Sequence, residues 1–157
     1  PFVPIVSGLL DFIISISLLF VIMFYFDISI SINILYIPIL LFITSLTAFG
    51  IGIWLSTLSI QYRDIRHSVQ FLVQILMYAA PVVWPYSLVE EKFGLFISNL
   101  YSIYPLVGVI EGFRSCLLGF TPMPWIPIII GFFTSLFLSV TGIFYFNNKE
   151  KWFADVA

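Results

Sequence analysis

The chain has 157 residues, of which 61% are hydrophobic and 9% charged, with six Lys+Arg against eight Asp+Glu and a formal net charge of −2. Soluble domains are about 45–50% apolar and about 25% charged, so these charges cannot coat a globule of this size, and disorder requires low hydrophobicity. The weak negative charge gives no nucleic-acid footprint, and one cysteine excludes an internal disulfide or a Cys-based zinc site. The fold class that remains is an all-α integral membrane protein. The chain opens at Pro1 with no basic flank and does not have the form of a signal peptide; it reads as an excerpt of a longer protein.

A helical span needs about 20 mainly apolar residues to cross about 30 Å of hydrocarbon. The first such stretch covers about 5–26 and carries Asp11 about two turns in. An intramembrane acid is a functional candidate by default, but ion coupling calls for acidic or His partners along a path, and the other spans offer none. Asp11 therefore reads as bonding a neighbouring helix or reaching toward the headgroups. The second span, about 36–60, repeats Thr44, Ala48, Gly52 and Ser56 every four positions, a small-residue face that lets helices pack closely in lipid. Gly50-Ile51-Gly52 lies inside this span and not after a strand, so it is no phosphate-binding loop.

Gln61-Tyr62-Arg63-Asp64-Ile65-Arg66-His67 follows as the densest charge cluster. Arg63, Asp64 and Arg66 suit anchoring, contact with lipid phosphates or contact with a cytoplasmic partner. His67 stands alone, without the second His or Cys that a metal site or triad needs. A third span covers about 69–86. The next stretch, about 93–119, is apolar but interrupted by Gly94, Asn99, Pro105, Gly108 and Gly112 and carries Glu111 and Arg114. It is expected to form two short helices, about 93–100 and 106–118, that dip into the membrane from one side. Broken helices survive at that depth only when packed in protein or lining a cavity. Glu111 and Arg114, three apart, can pair on one helix face and brace the hairpin. Cys116 is a small apolar residue there. The last span, about 125–146, carries a second small-residue row at Gly131, Ser135 and Ser139.

Charge bias orients these elements. Arg63 and Arg66 follow the second span, and Lys149 and Lys151 follow the last. Both clusters lie on the cytoplasmic side only if an even number of crossings separates them, which requires 93–119 to re-enter and not to cross. The carboxy-terminal end is then cytoplasmic. Aromatic residues make up 19% of the chain, and Tyr78, Trp84, Tyr86, Tyr101 and Tyr104 gather where the third span meets the re-entrant region. Aromatic faces suit the C–H faces of sugar rings, and they equally suit a membrane interface.

Taken in order, the motifs resemble a known family. Ala48-Phe49-Gly50-Ile51-Gly52 is followed by Gln61-Tyr62-Arg63-Asp64-Ile65-Arg66, Phe71-Leu72-Val73-Gln74 and Ala80-Pro81-Val82-Val83-Trp84-Pro85. Tyr104-Pro105-Leu106, Ile110-Glu111-Gly112-Phe113-Arg114 and Leu117-Leu118-Gly119 come next, and the tail closes on Glu150-Lys151-Trp152-Phe153-Ala154-Asp155-Val156. The succession resembles the type-2 ABC exporter permeases that move polysaccharide, O-antigen and teichoic acid, over nearly the whole chain. Two positions depart from the family: Tyr104 stands where Asn usually precedes the proline, and Ala80 where Ser usually does.

The resemblance implies spans three to six of a six-span bacterial inner-membrane permease. It implies a homodimer with a second permease copy, two ABC ATPase subunits that hold ATP and Mg, and a lipid-linked glycan as cargo. This chain itself would bind no cofactor and no metal and would not be an enzyme. Tyr78, Trp84, Tyr86, Tyr101 and Tyr104 would face the glycan, Glu111 and Arg114 would steady an outer gate, and Arg63, Asp64 and Arg66 would meet headgroups or a partner. A type-2 exporter of a drug or other small amphipathic molecule is the near rival. An ion-coupled secondary transporter centred on Asp11 is the distant one.

Overall fold

The computed structural model describes residues 2–28, 31–82, 84–119 and 121–154, with the side chains of 2–4, 63, 66, 67 and 150–154 outside that description. Six α-helices follow one another: α1 (Phe2–Tyr25), α2 (Ile37–Gln61), α3 (Arg63–Ala79), α4 (Tyr86–Tyr101), α5 (Pro105–Leu118) and α6 (Trp125–Ala154). No strand occurs among the described residues. Three stretches are long and apolar enough to cross a membrane: Ile5–Tyr25, Ile32–Gln61 and Trp125–Lys149. The protein is an all-α integral membrane protein.

Local chemistry sets the helix ends. α1 stops where Asp27 takes a left-handed turn at φ 53°, and the Ile28 N–H returns to the Met23 carbonyl at 3.0 Å. Pro38 and Pro105 sit in the first turns of α2 and α5, where a missing N–H costs nothing. Gly119 ends α5 at φ 67°, a conformation that a residue without Cβ adopts freely.

The third apolar stretch differs from the sequence expectation of a span over 69–86. Its helix starts at Arg63, so Arg63, Asp64 and Arg66 form the first turn of α3 and not a loop, and it stops at Ala79. Pro81 explains the stop, since the residue before a proline is driven out of the helical region, and Ala80 is extended at φ −71°, ψ 143°. At about 1.5 Å per residue α3 is roughly 25 Å long. The first helix of the expected re-entrant pair likewise begins earlier, at Tyr86, and kinks at Gly94 (φ 79°, ψ 171°). α4 and α5 then turn through 116° across the break that precedes Pro105.

The packed body is α2, α5 and α6. Leu40, Ile43, Val109, Cys116 and Ile128 fill its core. Lipid offers no hydrophobic force to drive helices together, so close approach and interhelical hydrogen bonds do that work. The Thr47 and Ser135 hydroxyls bond at 2.8 Å, and the Ser139 hydroxyl donates to the Leu46 carbonyl at 3.0 Å. The Gly131, Ser135 and Ser139 row thus packs within the chain, Ser135 and Ser139 against α2 and Gly131 against Pro105 of α5. The Thr44, Ala48, Gly52 and Ser56 row faces the other way. With Gly8, Leu9 and Phe12 of α1 it lines an open groove of about 410 Å³.

Contacts also give the direction of each helix. Tyr36 meets Trp125, Thr47 meets Ser135, and Trp54 stacks on Tyr145 at 4.7 Å. Residue numbers rise together along both helices, so α2 and α6 are parallel and end on the same side. α5 and α6 are antiparallel: Gly131 lies against Pro105, Gly108 against Pro127, and the Ser115 hydroxyl donates to the Thr121 carbonyl. Pro105 therefore sits level with Gly131, about 9 Å along α6 from its first turn, and α5 climbs back from there. Residues 86–118 thus form a sharply bent pair, with α5 running back toward the start of α6.

Candidate functional site

The joint between α3 and α4 gathers side-chain hydrogen bonds from distant segments of the chain. A helix leaves its last carbonyls without intrahelical partners, and in a bilayer no water stands ready to take them. Here other helices supply the donors. The Tyr104 hydroxyl donates to the Leu76 carbonyl at 3.1 Å, and the Tyr101 hydroxyl donates to the Ala79 carbonyl. The Leu76 carbonyl also takes the Ala80 N–H at 3.2 Å.

From α5 a charged pair grips the turn that follows. Arg114 Nη2 donates to the Pro81 carbonyl at 3.0 Å and reaches the Val82 carbonyl at 3.4 Å, while its Nη1 donates to Glu111 Oε1. The same carboxylate oxygen accepts the Tyr86 N–H, the first of α4, at 2.6 Å. The pair is the one ion pair among the described residues, and Glu111 is only 7% exposed. A buried charge is tolerable when paired and hydrogen-bonded, and Glu111 Oε1 meets both conditions. Chemically the arrangement is a clasp. It fixes the end of α3 and the start of α4 to α5.

The five aromatic residues singled out by sequence divide by role. Tyr101 and Tyr104 are partly buried with their hydroxyls engaged, and Tyr86 contributes its backbone N–H to the clasp. Trp84 is partly exposed and shares with Tyr101, Ala79, Val89, Phe93 and Ile97 an apolar groove of about 400 Å³. Tyr78 stands apart from that groove, 66% exposed on α3. Asp64 is exposed on the first turn of α3, while the side chains of Arg63, Arg66 and His67 lie outside the described residues. Asp11 is exposed on α1, its carbonyl accepting the Ser15 hydroxyl at 2.8 Å. Among the described residues no cluster of three His, Cys, Asp or Glu could hold a metal. Sequence reasoning finds the Glu111–Arg114 pair through its spacing but misses the backbone groups it serves. The two prolines at 81 and 85, which break the helix and strand those groups, are the signal that could have found them.

Comparison with known proteins places these features. The family model described as ABC-2 type transporter matches residues 4–118. Two proteins of Klebsiella pneumoniae, each named O-antigen export system permease protein RfbA, are similar to this chain. One is 27% identical over 148 residues, covering 94% of this chain and 55% of the relative. The other is 28% identical over 121 residues, covering 76% and 44%. The chain spans about half the length of the curated relatives it matches. No solved structure matches it.

Proposed function

The chain belongs to the ABC-2 type transporter family, and from that premise we propose that it is part of the permease of an ATP-driven exporter of lipid-linked polysaccharide. O-antigen, capsule and teichoic acid are the cell-envelope glycans in view. The observation that carries the reading is the likeness, over 94% of this chain, to a protein named as an O-antigen export permease. The chain is a transport subunit, not an enzyme. A separate ABC ATPase supplies ATP hydrolysis and holds ATP and Mg. A second permease copy completes the path.

In this reading the parallel ends of α2 and α6 face the cytoplasm of a bacterial inner membrane, since Arg63 and Arg66 follow α2 and Lys149 and Lys151 close α6, and basic residues favour that side. Arg63, Asp64 and Arg66 there meet lipid phosphates or the ATPase. Residues 86–118 form the outer end of the path, with the Glu111–Arg114 clasp holding its shape as the helices shift. Of the aromatic candidates, Tyr78 and Trp84 keep accessible rings for a sugar face, while Tyr86, Tyr101 and Tyr104 shape the surface from behind.

Two measurements on the full-length gene product test this. Purification in mild detergent is expected to bring down a stoichiometric ATPase subunit, and deletion of the gene is expected to strip the glycan from the cell surface. An ATPase partner without loss of surface glycan would turn the assignment to a small amphipathic cargo. No nucleotide-binding partner would end the ABC reading.

A further inference from the structure

The spans handle their polar side chains in two ways. In α1, α2 and α6 several hydroxyls bond back to their own helix: Ser15 to the Asp11 carbonyl, Thr44 to Leu40, Thr57 to Ile53, Thr141 to Phe137. Such residues can face lipid at little cost, because no donor is left over. A glutamine amide cannot do this, since it presents two donors and an acceptor beyond reach of its own turn. The chain has three glutamines. Gln61 is engaged, donating to the Tyr62 hydroxyl and accepting from the Tyr145 hydroxyl. Gln70 and Gln74 on α3 are exposed, and neither forms a hydrogen bond with any described residue.

Their position on the helix is not random. At about 100° per residue, Ile65, Val69, Leu76 and Ala79 share one face, and these are the partly buried positions of α3. Positions 63, 67, 70 and 74 share the opposite face, which points away from the rest of the chain. Tyr78, one turn beyond Gln74, continues that row and is exposed. Phe71 and Ile75 lie to one side of it, each more than half exposed. An amide pair turned into hydrocarbon would lose its hydrogen bonds outright. The face that carries it has to meet a hydrogen-bonding partner: water, hydroxyl-rich matter or polar groups of another helix.

We infer that Gln70 and Gln74 line a water-filled path along the outward face of α3 and hydrogen-bond the hydroxyls of the passing cargo, with Tyr78 as the aromatic end of the same row. The inference rests on the exporter reading and deepens it by naming cargo-positioning residues on this helix. Amides one turn apart exchange hydrogen bonds with hydroxyls without imposing charge, so a sugar chain can slide past them.

The test uses the full-length permease with its ATPase, stripped of native cysteines including Cys116, with single replacements Gln70→Cys, Gln74→Cys, Phe71→Cys and Ile75→Cys. A charged, water-soluble thiol reagent is expected to modify positions 70 and 74 at least about tenfold faster than 71 and 75, because charged groups enter hydrocarbon poorly. The faster rates are expected to fall when a hydrolysis-deficient ATPase stalls export in cells that make the lipid-linked glycan, and to stay unchanged in cells that do not. Equal slow modification at all four positions, or a disulfide between copies at 70 or 74, overturns the wet path and leaves the exporter reading standing. Fast modification that ignores the glycan overturns the cargo contact. In the native background, Gln70→Leu with Gln74→Leu is expected to cut surface glycan about tenfold at equal membrane abundance, with Gln→Asn at both positions restoring part of it. Full export by the leucine variant would also sink the proposal.

Discussion

One oxygen of Glu111 accepts two donors, the Tyr86 N–H and Arg114 Nη1, so its removal strands both partners inside the protein. Breaking a buried pair from one side typically costs about 3–5 kcal/mol, whereas replacing both members with apolar groups is often far cheaper. Glu111→Ala is therefore expected to lower the unfolding temperature in detergent more than Glu111→Leu with Arg114→Leu combined. A double variant at least as unstable as the single would mean that the carbonyl contacts of Arg114 outweigh the pair. The tyrosines make a milder case. Tyr101→Phe and Tyr104→Phe each remove one hydroxyl from a carbonyl that has no other side-chain donor, a loss of about 0.5–1.5 kcal/mol. Each is expected to reduce thermal stability and retain most export, while Trp84→Ala is expected to reduce export at near-native stability. The opposite pattern would place the glycan on the tyrosines. The i,i+3 spacing makes the Glu111–Arg114 pair legible in the sequence. Its real business, with a turn 25 residues earlier in the case of Tyr86, is not legible, because nothing local in either segment encodes the other.

At the scale of helices, the body stands on two close approaches that spacing alone does not separate from a third glycine. A Cβ on Gly108 would lie 2.4 Å from the Pro127 carbonyl oxygen, and one on Gly50 would lie 2.8 Å from the Ser139 nitrogen. Both obstacles are backbone and cannot swing aside. Gly52, two residues on, has nothing within 4 Å. Gly108→Ala and Gly50→Ala are expected to push α5 or α2 off α6 and to yield aggregated or degraded permease. Gly52→Ala is expected to fold at wild-type levels, since alanine gains about 1 kcal/mol of helix propensity over glycine. Size-exclusion profiles of the three variants from the same detergent decide it; a monodisperse Gly108→Ala would mean that α5 sits elsewhere. Both small-residue rows are visible in the sequence, and the structure assigns them different neighbours. Ser135 and Ser139 meet α2 and Gly131 meets Pro105 of α5, whereas the Thr44 row opens onto the groove beside α1. Periodicity reports that a face is small; what covers it depends on contacts between distant segments. The early stop of α3 was equally open to reading, through Pro81, but continuous apolar composition up to Tyr86 hides it.

For the whole molecule, two independent arguments meet on topology. Charge bias places the ends of α2 and α6 on one side, and the paired contacts Tyr36 with Trp125, Thr47 with Ser135, and Trp54 with Tyr145 make the two helices parallel. Parallel helices require one net crossing between them; if α3 makes it, the chain between α3 and α6 has to begin and end on the same side. The 116° bend and the antiparallel packing of α5 on α6 meet that requirement. The consequence can be measured without knowing the cargo. Asp64→Cys and Asn148→Cys, at the two shared ends, are expected to react with a membrane-impermeant thiol reagent only from the cytoplasmic side. Glu91→Cys, exposed on α4, is expected to react only from the outside. Should positions 64 and 148 label from opposite sides, residues 86–118 would form a full span, α2 and α6 would be antiparallel, and the clasp could no longer stand at the outer end of a path.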